Sequence, residues 1–384
     1  MLRVLCFGRF FDDVPGGMQT HVDHLFRAMR GQVEFVHLVP SRDHTAYEGR
    51  LQGFPLIRTP SWNVDGSLAL SPALVAKARQ LHCEKPFDLV HLHFPDPMSH
   101  IASWAIPKHV PRVITWHADI IRQKLMLLAY RPFQNAALRN AKGIIAATPA
   151  HIKSSVELPK SHLQSKVHVI PFGFDLAHYA QPLPKAAQIK AQYNGPLLFA
   201  LGRHVHYKGF DVLIRAMSQL PHNTHLLIGG EGPLTAEWKV LAGQSSAAAR
   251  IHFVGKIADA DLPAYFQACD VFCLPAVNQA EAFGIVQVEA FACGKPVVST
   301  RLNNGVDFVN QDGITGYTVT PSSVDELAQA LRRLIDDPQL RQQLGQQALQ
   351  RAQREFSLDA LRSKTLAVYE AAVKAATAQA EPRT

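Results

Sequence analysis

Two carboxylates and two cations in the second half of this 384-residue chain have the types and spacing to hold a charged ligand. Glu281 and Glu289 lie within EAFGIVQVEAFACG, which runs from Glu281 to Gly294. Val271 to Leu274 reads as a buried strand closed by Pro275. Gly284 to Cys293 reads as a helix stopped by Gly294, and Pro296 to Ser299 as the next strand. Strand, loop, helix and strand make one crossover unit of a parallel sheet. The helix opens on a glycine, so the N–H groups of Gly284 and Ile285 are open to a ligand, and the positive end of the helix dipole adds to them. Five residues at 1.5 Å rise put Glu289 roughly 7 Å along the axis from Gly284, about the span from a diphosphate to a ribose. Arg203 and Lys208 sit in GRHVHYKGFD, a glycine-containing loop directly after another strand. Both can turn toward one ligand, and two fixed cations suit a diphosphate ester.

The elements that must position these residues form two alternations of strand and helix. In the first half the strands read as Leu2 to Gly8, Glu34 to Val39, Leu89 to His93, Arg112 to Trp116, Gly143 to Ala146 and Val167 to Ile170. Helices are expected over Met18 to Met29, Pro72 to His82 and Arg122 to Asn140, and Ser41 to Ser71 reads as irregular. Pro171 to about Tyr193 reads as a linker. The second half places strands at Leu197 to Leu201, His225 to Ile228, Ile251 to Val254, Val271 to Leu274 and Pro296 to Ser299, and is helical from Ser322 on. Near-continuous Val, Ile and Leu in the strands is the mark of a parallel sheet buried on both faces. The expected organisation is an α/β chain of two doubly wound, Rossmann-like domains, residues 1–175 and 176–360, with a last helix and polar tail over 361–384. A cleft between two such domains is where their ligands bind.

Composition narrows the class. At 47% hydrophobic and 18% charged the chain is globular. No run approaches the ~18 apolar residues of a membrane span. The first residues, MLRVLCFGRFFDD, read as a strand and have too short an apolar core for a signal peptide. Five dispersed cysteines point to reduced thiols in a cytoplasm, without a disulfide framework or zinc site. The net charge of +8 belongs to the first half, where residues 1–175 hold 20 Lys and Arg against 13 Asp and Glu. Its densest part, Ile120 to Ala147, carries Arg122, Lys124, Arg131, Arg139 and Lys142 with no acid among them.

The two-glutamate motif, with F-G after the first and A-x-x-C-G-K-P-V-V after the second, resembles the donor site of the family-4 retaining glycosyltransferases of GT-B architecture. The resemblance extends over nearly the whole chain, through HADI, RQK and Y-R-P, VIPFGFD, G-R-x4-K-G-x-D and FVGKI. It implies a nucleotide-diphosphate sugar as donor, a glycan or lipid-linked acceptor, net retention at the anomeric carbon and no required metal or other cofactor. Arg203 and Lys208 would then be the diphosphate clamp, joined by the amides at Gly284 and Ile285. Glu281 would hold the hexose hydroxyls with Phe283 beside it, Glu289 the ribose, and Gly255, Lys256 and Ile257 the edge of the base. Gly16 and Gly17, in VPGGMQTHV, resemble the family's glycine loop, and His117, in ITWHADI at the end of a strand, its histidine near the donor hexose. No second carboxylate stands as a nucleophile on the opposite sugar face, which makes front-face substitution the expected route to retention. The nearest flavour is that of bacterial enzymes building surface polysaccharide such as lipopolysaccharide, often by mannosyl transfer, in the cytoplasm or at the inner membrane's surface.

Two other classes share the architecture. An epimerase or hydrolase of nucleotide sugars would release product without an acceptor, and a non-catalytic binding protein would have lost Glu281, Lys208 or Arg203, all of which are present. Nothing points to nucleic acid. For metal, His91 with His93 and His204 with His206 lack a third ligand at metal spacing. Asp259 and Asp261 read as helix capping. The basic helix, through Arg122, Lys124, Arg131 and Arg139, is expected to meet an anionic membrane surface, with Leu125, Met126, Leu127, Leu128 and Leu138 available to bury.

Overall fold

The structure, a computed structural model, describes residues 1–9, 17–42, 44–64, 68–120 and 124–380. The chain divides into two compact units, Met1–Phe174 with Leu358–Thr384, and Asp175–Ser357.

The first unit carries strands β1 (Leu2–Phe7), β2 (Val33–Pro40), β3 (Tyr47–Leu51), β4 (Phe54–Thr59), β5 (Trp62–Val64), β6 (Leu68–Leu70), β7 (Leu89–Phe94), β8 (Arg112–Trp116), β9 (Gly143–Ala146) and β10 (Val167–Val169). Its helices are α1 (Gly17–Ala28), α2 (Pro72–Glu84), α3 (Pro97–Ser103), α4 (Lys124–Asn140) and α5 (Pro149–Ser154). The main sheet runs β10-β9-β8-β7-β1-β2-β4-β3, parallel except for the β3 edge. Alternate residues of β1 feed different cores: Leu5 and Phe7 pack with Leu92, Ile114 and Trp116, whereas Val4 and Cys6 pack with Val22, Phe26 and Tyr369. Both faces are therefore dry, which is why the strands read as apolar runs without alternation.

The second unit holds α6 (Ala177–Ala180), α7 (Pro184–Ala191), β11 (Leu197–Leu201), α8 (Phe210–Ala216), β12 (His225–Gly229), α9 (Thr235–Gly243), β13 (Ile251–Gly255), α10 (Leu262–Ala268), β14 (Val271–Leu274), α11 (Ile285–Ala292), β15 (Val297–Thr300), α12 (Gly305–Val309), β16 (Gly316–Val319), α13 (Val324–Asp336) and α14 (Pro338–Arg351). Its sheet is parallel throughout, in the order β13-β12-β11-β14-β15-β16. The final helix, α15 (Leu358–Ala380), belongs to the first unit, where Leu361, Val368, Tyr369 and Ala372 fill the core on the Val4 face of the sheet. Gly143 permits its close approach, since a Cβ there would lie 2.6 Å from Val368 Cγ1.

Several elements depart from the sequence reading. The stretch Ser41 to Ser71 is not irregular: β3 and β4 form a hairpin turned by Gln52 and Gly53, both at positive φ, and β4 extends the parallel sheet beside β2. β3 is an exposed edge with charged residues, so its apolar signal is weak. The supposed linker holds α6 and α7. β16 is a sixth strand in the second sheet, four residues long and opened by Gly316, where a Cβ would meet Val297 O at 1.8 Å.

Candidate active site

In the second unit the strand order reverses beside β11, whose neighbours are β12 and β14. Open α/β sheets bind ligands outside the carboxyl ends of strands at such a switch point. The loop after β11 carries Arg203 and Lys208, and the loop after β14 carries Glu281. The two loops are joined: Val277 N–H donates to Tyr207 O at 2.9 Å, and Gly209 passes so close to Pro275 O that a Cβ would meet it at 2.1 Å. They bring Lys208 Nζ to 2.6 Å from Glu281 Oε2, with the two side chains only 11% and 12% exposed. Lys208 lies over Gly202, where a Cβ would come within 2.9 Å of Lys208 Cε. Arg203 is exposed and makes no ion pair among the described residues. Glu281 is held through its backbone as well: Asn304 Nδ2 donates to Glu281 O at 2.7 Å, and Asn304 itself caps α12.

Gly284 stands at the start of α11 in the left-handed region, φ 69, with no side chain capping the helix. A Cβ would meet Leu274 Cδ2 at 2.6 Å and Gln287 Nε2 at 2.7 Å. Only glycine takes that turn without strain, and no side chain caps the amides that open the helix. Ile285 is exposed, Phe283 is buried against Phe356, and Glu289 lies one turn further in. Burial raises the pKa of Glu289, the bond from Tyr179 lowers it, and Asp259 raises it further. Tyr179 OH donates to Glu289 Oε1 at 2.7 Å. Gly255 ends β13 at φ 69; Lys256 is exposed and Ile257 half-buried. Lys208 and Glu281 are thus in direct contact, in the same unit as Arg203, Gly284, Glu289 and Gly255. Asn304 and Tyr179 had no sequence signal, since each acts across more than 20 residues of chain.

The first unit gathers histidines. His91 and His93 follow one another on the same face of β7, and His117 directly follows β8. His93 Nδ1 and His117 Nε2 are 2.9 Å apart, and the His21 ring from α1 stands edge-on to both, centroids 5.7 and 5.3 Å away. Ring nitrogens of His21, His93 and His117 lie within 4.8 Å of one another. The sequence reading that His91 and His93 lack a third partner is therefore corrected: Cys6 Sγ of β1 lies within 4.8 Å of ring nitrogens of both, and His93 alone also joins His21 and His117, all out of sequence range. As they stand, His93 and His117 spend one nitrogen each on one another. Burial holds both neutral, well below the ordinary histidine range, and pushes His21 down to about 4.

Other expectations fare differently. Gly16 and Arg122 lie outside the described residues. Gly17 opens α1, and among the described residues no atom lies within 4 Å of a Cβ position there, so their packing gives no reason for a glycine. Asp261 is not a cap: it makes no side-chain bond to α10 and pairs instead with Lys185 Nζ at 2.7 Å. All five cysteines are free.

Against known proteins, the family model for glycosyl transferases group 1 matches residues 185–351 and that for glycosyltransferase family 4 matches residues 15–178. The chain is 32% identical over 294 residues to the D-rhamnosyltransferase WbpZ of Pseudomonas aeruginosa, covering 76% of this chain and 75% of that one. The chain belongs to the family-4, group 1 glycosyltransferases. It is a hexosyltransferase by family. This glycosyltransferase is also 28% identical over 289 residues to the O-antigen chain mannosyltransferase C of Escherichia coli, covering 75% of this chain and 76% of that one. Among solved structures it is similar to Anabaena HepE in complex with UDP, with TM-score 0.72, 22% identity, and 96% and 100% of the two chains covered. A glycosyltransferase from Rickettsia africae gives TM-score 0.73 at 19% identity, with 97% and 99% covered. The fold is GT-B, two Rossmann-like α/β units.

Proposed function

We propose that this glycosyltransferase moves a hexose, with mannose or a related sugar first in line, from a nucleoside-diphosphate donor to a glycan or lipid-linked acceptor of surface polysaccharide, with retention and without a metal. The observation that carries the reading is the Lys208–Glu281 pair at the switch point of the second sheet, in the same unit as a helix whose first amides have no side-chain cap. Lys208, Arg203 and those amides stabilise charge on the departing diphosphate. Glu281 accepts from hexose hydroxyls. Glu289, with Tyr179 on one oxygen, accepts from the ribose, and Gly255 to Ile257 edge the base. His117 donates to the hexose. The relatives named for D-rhamnosyl and O-antigen mannosyl transfer support the sugar class, and the UDP held by HepE supports a nucleoside-diphosphate donor.

The test is release of nucleoside diphosphate from a set of guanosine- and uridine-diphosphate hexoses, with and without a lipid-linked glycan. Release that depends on the acceptor and is unchanged by EDTA is expected. Release without acceptor would point to a hydrolase or epimerase. Loss with EDTA and recovery with magnesium or manganese would overturn metal independence and return Asp259 and Asp261 to consideration.

A lipid-linked acceptor suits a chain that docks on the anionic face of a bilayer through α3 and α4. No helix among the described residues is long and apolar enough to cross a membrane. Tyr130, Gln134 and Leu138, one helical turn apart, face inward, so Leu138 is core and not free to meet lipid. Arg131 is 3.4 Å from the buried Glu157, which spends part of its charge. Among the described side chains, those left outward include Leu128, 71% exposed, with Phe133, Trp104 and Ile101, and Arg131 and Arg139 are exposed on α4. Aromatic and aliphatic side chains beside cations suit the interface, where each Lys or Arg adds roughly 1 kcal/mol. Sedimentation with vesicles is expected to rise with anionic lipid, and to fall with salt and in an Arg131→Gln/Arg139→Gln protein. Equal binding to neutral and anionic vesicles would sink the docking proposal and leave the catalytic reading intact.

A further inference from the structure

The histidines on β7 and β8 differ in how their nitrogens are used. His91 is tied at both: Nε2 lies 2.8 Å from Thr115 Oγ1, and Nδ1 lies 2.7 Å from the OH of Tyr369, on α15. Its ring packs 4.4 Å from that of His93 and so fixes the wall against which His93 rests. His117 is fixed at its backbone, where its N–H donates to Phe94 O at 2.9 Å. His93 and His117 then meet through Nδ1 and Nε2 at 2.9 Å. His93 Nε2 is buried with no hydrogen-bond partner among the described residues. His117 is half-buried, and its Nδ1 has no partner among the described residues.

Two neutral imidazoles sharing one hydrogen bond have two proton arrangements. In one, His117 Nε2–H donates to His93 Nδ1. The second His93 proton site, Nε2, must then carry its hydrogen into a buried position with nothing to accept it. In the other, His93 Nδ1–H donates to His117 Nε2, and His93 Nε2 is a bare lone pair. Buried N–H groups without an acceptor are rarer in proteins than acceptors left short of a donor.

We propose that His93 is a positioning residue for His117: its Nδ1–H donates to His117 Nε2 and holds His117 as the Nδ1–H tautomer, the form that offers a hydrogen-bond donor to a ligand oxygen. The proposal rests on the reading that His117 contacts the hexose. With its Nε2 occupied as an acceptor, His117 has one proton to give, at the nitrogen that has no partner among the described residues. A hydroxyl or ring oxygen of a sugar can take it; a cation cannot. The ring stays aimed because His93 is itself wedged by His91, and His91 by Tyr369 and Thr115. This gives α15 a function at a distance, since the Tyr369 hydroxyl is the far end of the support.

Two-bond nitrogen-15 correlation spectra of the whole protein, labelled at histidine, read the tautomers directly. His117 is expected with Nδ1 protonated and Nε2 bare, and His93 likewise. His93→Phe keeps a ring of similar size and removes the donor. It is expected to lose the His117 signature and to lower kcat/KM by about 10–100-fold, the usual cost of misplacing a working group through its neighbour. His93→Asn, whose amide N–H can reach toward the same place as Nδ1–H, is expected to restore most of both. A wild-type spectrum with His117 protonated at Nε2 overturns the proposal with no variant needed. So does a folded His93→Phe protein with unchanged kcat/KM and unchanged His117 signals. His117→Ala separates the two levels. Full activity in that variant overturns the reading of His117 on which the proposal stands. Loss of activity there, together with an Nε2–H tautomer in the wild type, overturns only the role of His93.

Discussion

Replacing Lys208 with alanine is expected to lower turnover by about 10²–10³-fold, the cost of removing one transition-state contact. The ammonium is placed for that role by three features: it lies across Gly202, it is almost fully covered, and Glu281 fixes it at 2.6 Å. Glu281→Ala should cost a similar factor, since the carboxylate both aims Lys208 and faces the hexose in the proposed reading. Stability separates the two parts of the effect. Removing one member of a buried ion pair leaves the other uncompensated, at about 3–5 kcal/mol, whereas replacing both by neutral groups of similar volume is far milder. Lys208→Met with Glu281→Gln should therefore melt near the parent while remaining inactive. Rate of nucleoside diphosphate release and melting temperature on the same samples decide the matter. Wild-type turnover in a folded Glu281→Ala protein would remove the central assignment.

The pairing behind that prediction was half legible in the sequence. Arg203, Lys208 and Glu281 stand out because each follows an apolar strand in a glycine-bearing loop, and parallel sheets place such loops at one edge. That Lys208 and Glu281 touch was not legible, because it depends on β11 and β14 being neighbours, and strand order is a property of the whole sheet. The histidine group shows the same limit. His91 and His93 could be read as sharing a face of β7 from period two alone. His21 joins them from α1 and Tyr369 from α15, a contact 278 residues away in sequence. Where the reading failed outright, at β3, β4 and β16, the strands are short, lie at or near a sheet edge or depend on a single glycine, and so carry little of the apolar pattern that marks a central strand. Asp261 failed for another reason: an acid before a helix looks like a cap whatever it does, and here Lys185 is the partner.

Gly284→Ala is expected to damage both stability and activity, and a second glycine shows how much of each is due to the site. Gly284 and Gly313 share a left-handed φ, 69 and 70. Any L-residue placed there carries a strain of about 1–2 kcal/mol. Their surroundings differ. Nothing lies within 4 Å of a Cβ on Gly313, while a Cβ on Gly284 would press on Leu274 Cδ2 and Gln287 Nε2. Leu274 is fully buried in β14 and has no room to retreat, so the start of α11 must shift instead. That shift moves the uncapped amides with which the helix meets the diphosphate in the proposed reading. Gly313→Ala should thus show the backbone strain alone, with activity retained. Gly284→Ala should melt lower still and lose about 10²-fold in kcat/KM, the size expected for one misplaced donor at a site of developing charge. If the two variants were equally active, α11 would be an ordinary packing helix, and the charge on the leaving group would fall to Arg203 and Lys208 alone.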